Sequence, residues 1–138
     1  MSMRISTGLV LIGLLLSACS ASSVTPNVAS VMVTMNDKDI TLSQAEIPPG
    51  LVTFMVMNHG TIVHSLVVIR TDVADDKMPL DPADETKVKE TGSIAASGQM
   101  AAGTGKQLQR QLAAGKYVLV CNEPAHYAVG MHTGLVVK

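Results

Sequence analysis

The chain has 138 residues, ten Lys and Arg against eleven Asp and Glu, and a formal net charge of −1. Two tyrosines, one phenylalanine, no tryptophan and no basic stripe argue against a nucleic-acid surface, which needs clustered cations and stacking rings. The first eighteen residues carry Arg4 as their only charge, then the apolar run Gly8 to Leu16, and end on Ser17 and Ala18 ahead of Cys19. Residues 1–18 therefore read as a secretory signal peptide. Their apolar core is about half of the roughly 20 residues that a membrane-spanning helix requires, so a permanent transmembrane anchor is not expected.

Leu16-Ser17-Ala18-Cys19 resembles the bacterial lipobox. The resemblance implies cleavage before Cys19, acylation of Cys19 and attachment to a membrane through that residue. One acyl chain binds only marginally, and each buried methylene adds about 0.8 kcal/mol, so two or three chains give a stable anchor. Ser20, in place of an acidic residue, is similar to the Gram-negative pattern that does not retain a lipoprotein at the inner membrane. Residues 19–29, with their Ser, Thr and Pro, read as the acylated cysteine and a flexible tether, which leaves 30–138 as one domain. With Cys19 acylated, Cys121 is an odd thiol in an oxidising compartment, where it either reacts or is tied to something.

Past the tether, Ser30 to Met35 predicts a strand, Asn36 to Asp39 a turn, and Ile40 to Leu42 a short strand. Leu51 to Met57, apolar nearly throughout and bounded by Asn58-His59-Gly60, predicts a sandwich strand, and Ile62 to Ile69 a second. Asp81-Pro82-Ala83-Asp84 offers a cap and a proline at the first helical position, so a short surface helix is expected over 82–90, in an acidic and solvated stretch. Gly92 to Gly105, rich in Gly, Ala and Ser, reads as a crossing loop with a short strand near Ser93-Ile94. Gln107 to Leu112 alternates, Ala114-Gly115 turns, Lys116 to Cys121 makes the next strand, and Thr133 to Lys138 closes the sheet. These elements predict an all-β fold, an antiparallel Greek-key β-sandwich of about 7–8 strands with one short helix. Met32, Met35, Met55 and Met57 are expected in its core, filling space that the missing aromatics leave.

The last two strands are joined by a loop in which Cys121, His126 and Met131 stand five positions apart. Alone, a cysteine in such a strand is more often a small core residue, and a methionine a core filler. With four His and nine Met in the chain, both fall at those two positions after a given Cys in about 0.2 % of cases. A thiolate, two imidazoles and a weak thioether form the ligand set of blue copper sites, so one more histidine is required. His64, opening an apolar strand, is the best candidate; His59 sits in the turn between Asn58 and Gly60, and His132 should face away from Met131.

At this point the sequence resembles the cupredoxin family, with a ligand spacing similar to that of its auracyanin, rusticyanin and sulfocyanin members. Pro49 to Phe54 with Asn58, the His64 strand, and Leu112 to Tyr117 leading into Cys121 are similar to cupredoxin segments, covering most of 30–138. The resemblance implies one type 1 copper ion, with His64, Cys121 and His126 as strong ligands and Met131 as the long axial one. It implies one-electron transfer by Cu(I)/Cu(II) cycling, no enzymatic activity, and a monomer that docks transiently with redox partners near His126. Many cupredoxins have asparagine after the first histidine; here Ser65 stands there, which puts that residue's bonding in doubt and suggests a raised reduction potential. Two rival readings stay open: a copper-delivery protein, if the Met-rich strands are exposed, and a zinc or metal-free binding module, since Cys and His also suit tetrahedral zinc. A hydrolase is the weakest, because only His126 accompanies Cys121. Localisation is expected at the periplasmic or extracellular face, held by acylated Cys19.

Overall fold

The computed structural model describes residues 27–138. The signal peptide, Cys19 and most of the tether therefore lie outside the described residues. Strand β1, Val28–Met35, begins two residues inside the expected tether. It is followed by β2 (Ile40–Leu42), β3 (Glu46–Ile47), β4 (Gly50–Asn58) and β5 (His64–Arg70). Then come β6 (Leu80–Asp81), β7 (Asp84–Val88), β8 (Ser93–Met100), β9 (Gly105–Leu112), β10 (Gly115–Cys121) and β11 (His132–Val137). Two single turns of 3₁₀ helix, Asp75–Lys77 and Tyr127–Val129, complete the elements.

The strands form a sheet in the order β2-β1-β4-β9, a second in the order β3-β11-β10-β5-β8, and a separate β6-β7 pair. The two sheets face each other as the expected sandwich, and the chain crosses between them from β2 to β3, β3 to β4, β4 to β5, β8 to β9 and β9 to β10. Alternation decides what goes inside. Val31, Val33 and Met35 of β1 and Val52, Phe54 and Val56 of β4 are buried from one side. From the other come Leu66 and Val68 of β5, Leu119 and Cys121 of β10, and Leu135 and Val137 of β11. Pairing between β1 and β4 is parallel, as is β3 with β11, which departs from the purely antiparallel expectation. Parallel pairing follows because β1 and β4 are joined by a connection that visits the opposite sheet through β3.

The expected helix over 82–90 is not there: Asp84–Val88 is a strand paired with Leu80–Asp81. The residues that looked like caps make local turns instead. The Asp81 carboxylate accepts from the Ala83 amide at 2.9 Å, and the Asp84 carboxylate accepts from the Thr86 amide at 3.2 Å and from its hydroxyl. Such side-chain bonds compete with helical pairing. The stretch is not wholly solvated either. Met78 and Val88 are buried against Val67, Ile69, Val118 and Val120, so residues 71–92 cover the outer face of the second sheet.

The expected loop from Gly92 to Gly105 is mostly strand β8. Its inward positions are Ala95 and Ser97, buried yet too small to give a hydrophobic rhythm. Gly98, at φ 62°, accompanies a shift of register against β5. Of the four methionines expected in the core, Met35 is there. Met32 and Met55 are 54 % and 41 % exposed, directly paired on the outer face of the first sheet, with Met57 half-buried beside them.

Candidate metal centre

Three of the expected ligands converge at one end of the sandwich. His64 is the first residue of β5 and Cys121 the last of β10, and because Cys121 pairs with Leu66 the two chain positions lie side by side in one sheet. His126 stands at the N-terminal end of the 3₁₀ turn Tyr127–Val129. His64 Nδ1 lies 3.6 Å from Cys121 Sγ, His126 Nδ1 lies 3.4 Å from the same sulfur, and the two nitrogens are 3.1 Å apart. A triangle with these sides has a point about 2.0 Å from every corner, the length of a metal–imidazole bond and a few tenths short of a metal–thiolate bond. The three atoms are thus spaced as a first coordination shell.

Met131 is fully buried and belongs to the same core cluster as Cys121. The loop is closed on it by backbone: the Cys121 amide donates to the Met131 carbonyl at 3.0 Å, and the Met131 amide to the His126 carbonyl at 3.2 Å. The remaining histidines stand apart. His59 is exposed, and His132 pairs through Nδ1 with the Asp75 carboxylate at 2.8 Å.

The surroundings set the charge state of each group. Burial pushes the Cys121 thiol up, partly offset by the backbone amides of Glu123 and Ser65, so without a metal it holds its proton at neutral pH. Burial and the neighbouring His64 lower His126, which keeps it neutral and its nitrogen lone pair available. The Ser65 amide lies 3.4 Å from the sulfur, and the Asn122 amide donates to the Ser65 carbonyl at 2.9 Å. The linkage put in doubt by serine at position 65 is therefore made by backbone groups, which any residue there supplies.

Asp37 and Asn122, close to the centre, gave no signal in the sequence, and Asn58 was marked only through its resemblance to a cupredoxin segment. The Asp37 carboxylate, from the β1–β2 turn, lies 3.1 Å from His64 Nε2. Hydrogen bonds from the Thr61 hydroxyl and amide hold Asp37 down at about 2. Asn58 is fully buried; its amide group donates to the carbonyls of Ile62 and Met100, and its oxygen accepts from the Gly60 amide. Asn122 clasps the ligand loop to β7, accepting from the Val88 amide at 2.8 Å and donating to its carbonyl at 3.1 Å.

Residues 14–138 match the family model described as the sulfocyanin (SoxE) domain. The chain belongs to that family. Solved cupredoxins share the chain's fold. Auracyanin from Roseiflexus castenholzii superposes with a TM-score of 0.56 at 23 % identity, over 80 % of this chain and 96 % of its own. Rusticyanin from Thiobacillus ferrooxidans gives 0.59 at 19 % identity, over 83 % and 79 %. Auracyanin A from Chloroflexus aurantiacus, described as a blue copper protein, gives 0.54 at 20 % identity, over 79 % and 99 %. No curated protein matches the chain. Type 1 copper is the cofactor of the cupredoxins, and the donor set here fits it: His64, Cys121, His126 and buried Met131 form the candidate site. A thioether beside a thiolate and two imidazoles is the blue copper set, whereas zinc takes nitrogen, thiolate and carboxylate ligands.

Proposed function

We propose that this sulfocyanin-family protein is an exported one-electron carrier, attached to a membrane through acylated Cys19 and acting as a monomer rather than as an enzyme. The observation that supports it most is the convergence of His64 Nδ1, Cys121 Sγ and His126 Nδ1 on one point beneath a half-exposed histidine. Bound copper would supply the redox chemistry, exchanging one electron between Cu(I) and Cu(II). The polypeptide contributes rigidity. His64 and Cys121 are held by sheet pairing, His126 and Met131 by the closed loop, so neither oxidation state requires the ligands to move. No helix among the described residues is long and apolar enough to cross a membrane, which is compatible with a lipid anchor at Cys19.

Electron exchange runs through His126. Around its edge Pro124, Ala125 and Ala128 are exposed, Val129 is 56 % exposed, and Ile62 and Val63 lie open just ahead of His64. A small apolar surface of this kind suits weak, transient docking with donor and acceptor proteins.

The test is the visible spectrum of the protein loaded with Cu(II), beside Cys121→Ser. An intense band near about 600 nm that the variant loses supports the thiolate–copper bond; weak bands alone would refute it.

One observation favours a second reading, copper delivery. Met32, Met55 and Met57 line an open groove of about 440 Å³ on the first sheet, and thioethers are soft ligands that select Cu(I). Rapid loss of Cu(I) to a chelator in competition would support that role; slow loss would leave electron transfer.

A further inference from the structure

We propose that Asp37 is a positioning residue for the copper site: it fixes the tautomer and ring plane of His64, and its charge favours the oxidised metal. The inference rests on the copper reading above and adds to it a residue outside the ligand set.

His64 is completely buried, so its ring finds no water. A neutral imidazole carries one N–H, and the nitrogen that faces an acceptor takes it. The Asp37 carboxylate faces Nε2 at 3.1 Å, which places the N–H there and leaves the Nδ1 lone pair aimed at the point shared with Cys121 and His126. Asp37 cannot swing away. The Thr61 amide donates to Oδ1 at 2.8 Å and the Thr61 hydroxyl to Oδ2 at 2.7 Å, so both carboxylate oxygens are engaged.

Gly60 provides a second, independent observation. A Cβ at that position would lie 2.1 Å from Asp37 Oδ1 and 2.6 Å from His64 Nε2. Any other residue would have to displace the Asp37–His64 contact, and the backbone approaches it closely only because position 60 has no side chain. The β1–β2 turn of one sheet and the β4–β5 loop thus enclose a single bond to a ligand carried by the other sheet.

A carboxylate accepting from a metal-bound imidazole makes that imidazole a stronger electron donor. This stabilises Cu(II) relative to Cu(I). Asp37 therefore lowers the potential, opposing the increase expected from the dry surroundings of the thiolate.

The experiment uses the full-length protein and its variants Asp37→Asn and Asp37→Ala. Asparagine keeps an acceptor oxygen of nearly the same shape and removes the charge. With copper bound and the blue band present, Asp37→Asn is expected to lower the affinity for Cu(II) relative to Cu(I) about tenfold, an upward shift of about 59 mV in a one-electron potential. In the metal-free protein, ¹⁵N shifts of the His64 ring are expected to show Nε2–H alone in the wild type and a mixture of tautomers in Asp37→Ala. An unchanged potential in Asp37→Asn overturns the charge role, and an Nδ1–H tautomer in the wild type overturns the positioning role. Absence of a blue band in the wild type overturns the copper reading instead, and the tautomer still decides whether Asp37 positions His64. Should Asp37→Ala fail to fold, the wild-type tautomer still decides the positioning role and Asp37→Asn the charge role.

Discussion

Asn58→Ala should be among the most damaging single changes outside the ligand set. Asn58 is 0 % exposed and ends β4, where its side chain makes three hydrogen bonds, to the Ile62 carbonyl at 2.8 Å, the Met100 carbonyl at 2.9 Å and from the Gly60 amide at 2.9 Å. A neutral hydrogen bond contributes about 0.5–1.5 kcal/mol net, so three contribute about 3 kcal/mol. Alanine leaves their partners without a substitute in a place that water cannot easily reach. For a domain of this size each kcal/mol corresponds to about 4 °C in Tm, which gives a loss of about 12 °C. Urea unfolding of the metal-free protein, followed by two probes, measures this directly, since the fold should unfold in one step. Asn58→Asp should do no better than alanine, because a carboxylate cannot donate to either carbonyl. A loss below about 1 kcal/mol in the alanine variant, at unchanged denaturant slope, would show that the β4–β5 loop is held by something else.

Asp84 titrates below the ordinary carboxylate value of 3.8 because the Thr86 hydroxyl and amide bind its charged form. The folded protein then binds this proton more weakly than the unfolded chain, so the group's stabilising contribution is full above the ordinary value and is lost as pH falls from there through the lower folded value. Asp84→Asn should accordingly flatten the acid side of a urea-midpoint profile of the metal-free protein below about pH 5; parallel profiles would exclude the Thr86 bonds as the cause. Ala128→Glu, at an exposed position two residues from His126, should slow electron exchange with the physiological partner and leave the blue band intact, and an unchanged rate would place docking elsewhere.

What could be read in the sequence depended on whether one side chain's chemistry or a periodic pattern carried it. β4, β5 and β10 were legible because they are apolar runs ending in turn residues, and the ligand loop was legible because Cys121, His126 and Met131 are rare types at fixed spacing. β8 was not, since Ala95 and Ser97 face inward on side chains too small to mark a face. The helix expected over 82–90 failed because Asp81 and Asp84 bind amides two residues on, a turn chemistry that shares its residue types with helix capping. Met32 and Met55 failed for another reason. Both lie on strands whose opposite faces, Val33 and Val56, fill the core, and an apolar residue on the outer face of an edge-on sheet cannot be told from an inner one when the run is apolar on both sides. Asp37 had no sequence signal at all: it is one of several polar residues in a turn, and only the fold carries that turn to a histidine 27 positions away.

The same geometry bears on why the centre is rigid before any metal arrives. Ala125 is the one non-glycine residue with positive φ among the described residues, at 66°, a conformation that costs an L-residue about 1–2 kcal/mol. It is kept there by the bond from its amide to the Thr86 carbonyl at 2.8 Å, while Asn122, three residues earlier, is clasped to Val88. The ligand loop is therefore tied to β7 on its outer side and closed on itself by the Cys121–Met131 and Met131–His126 backbone bonds on its inner side. Strain of this kind persists only where the surroundings over-determine the backbone. A loop fixed at both ends against a strand that is itself packed on the outer face of the second sheet has no soft coordinate along which His126 could follow a change in metal charge. The β6–β7 hairpin, which contributes no candidate ligand, is thus part of what fixes the loop that carries His126.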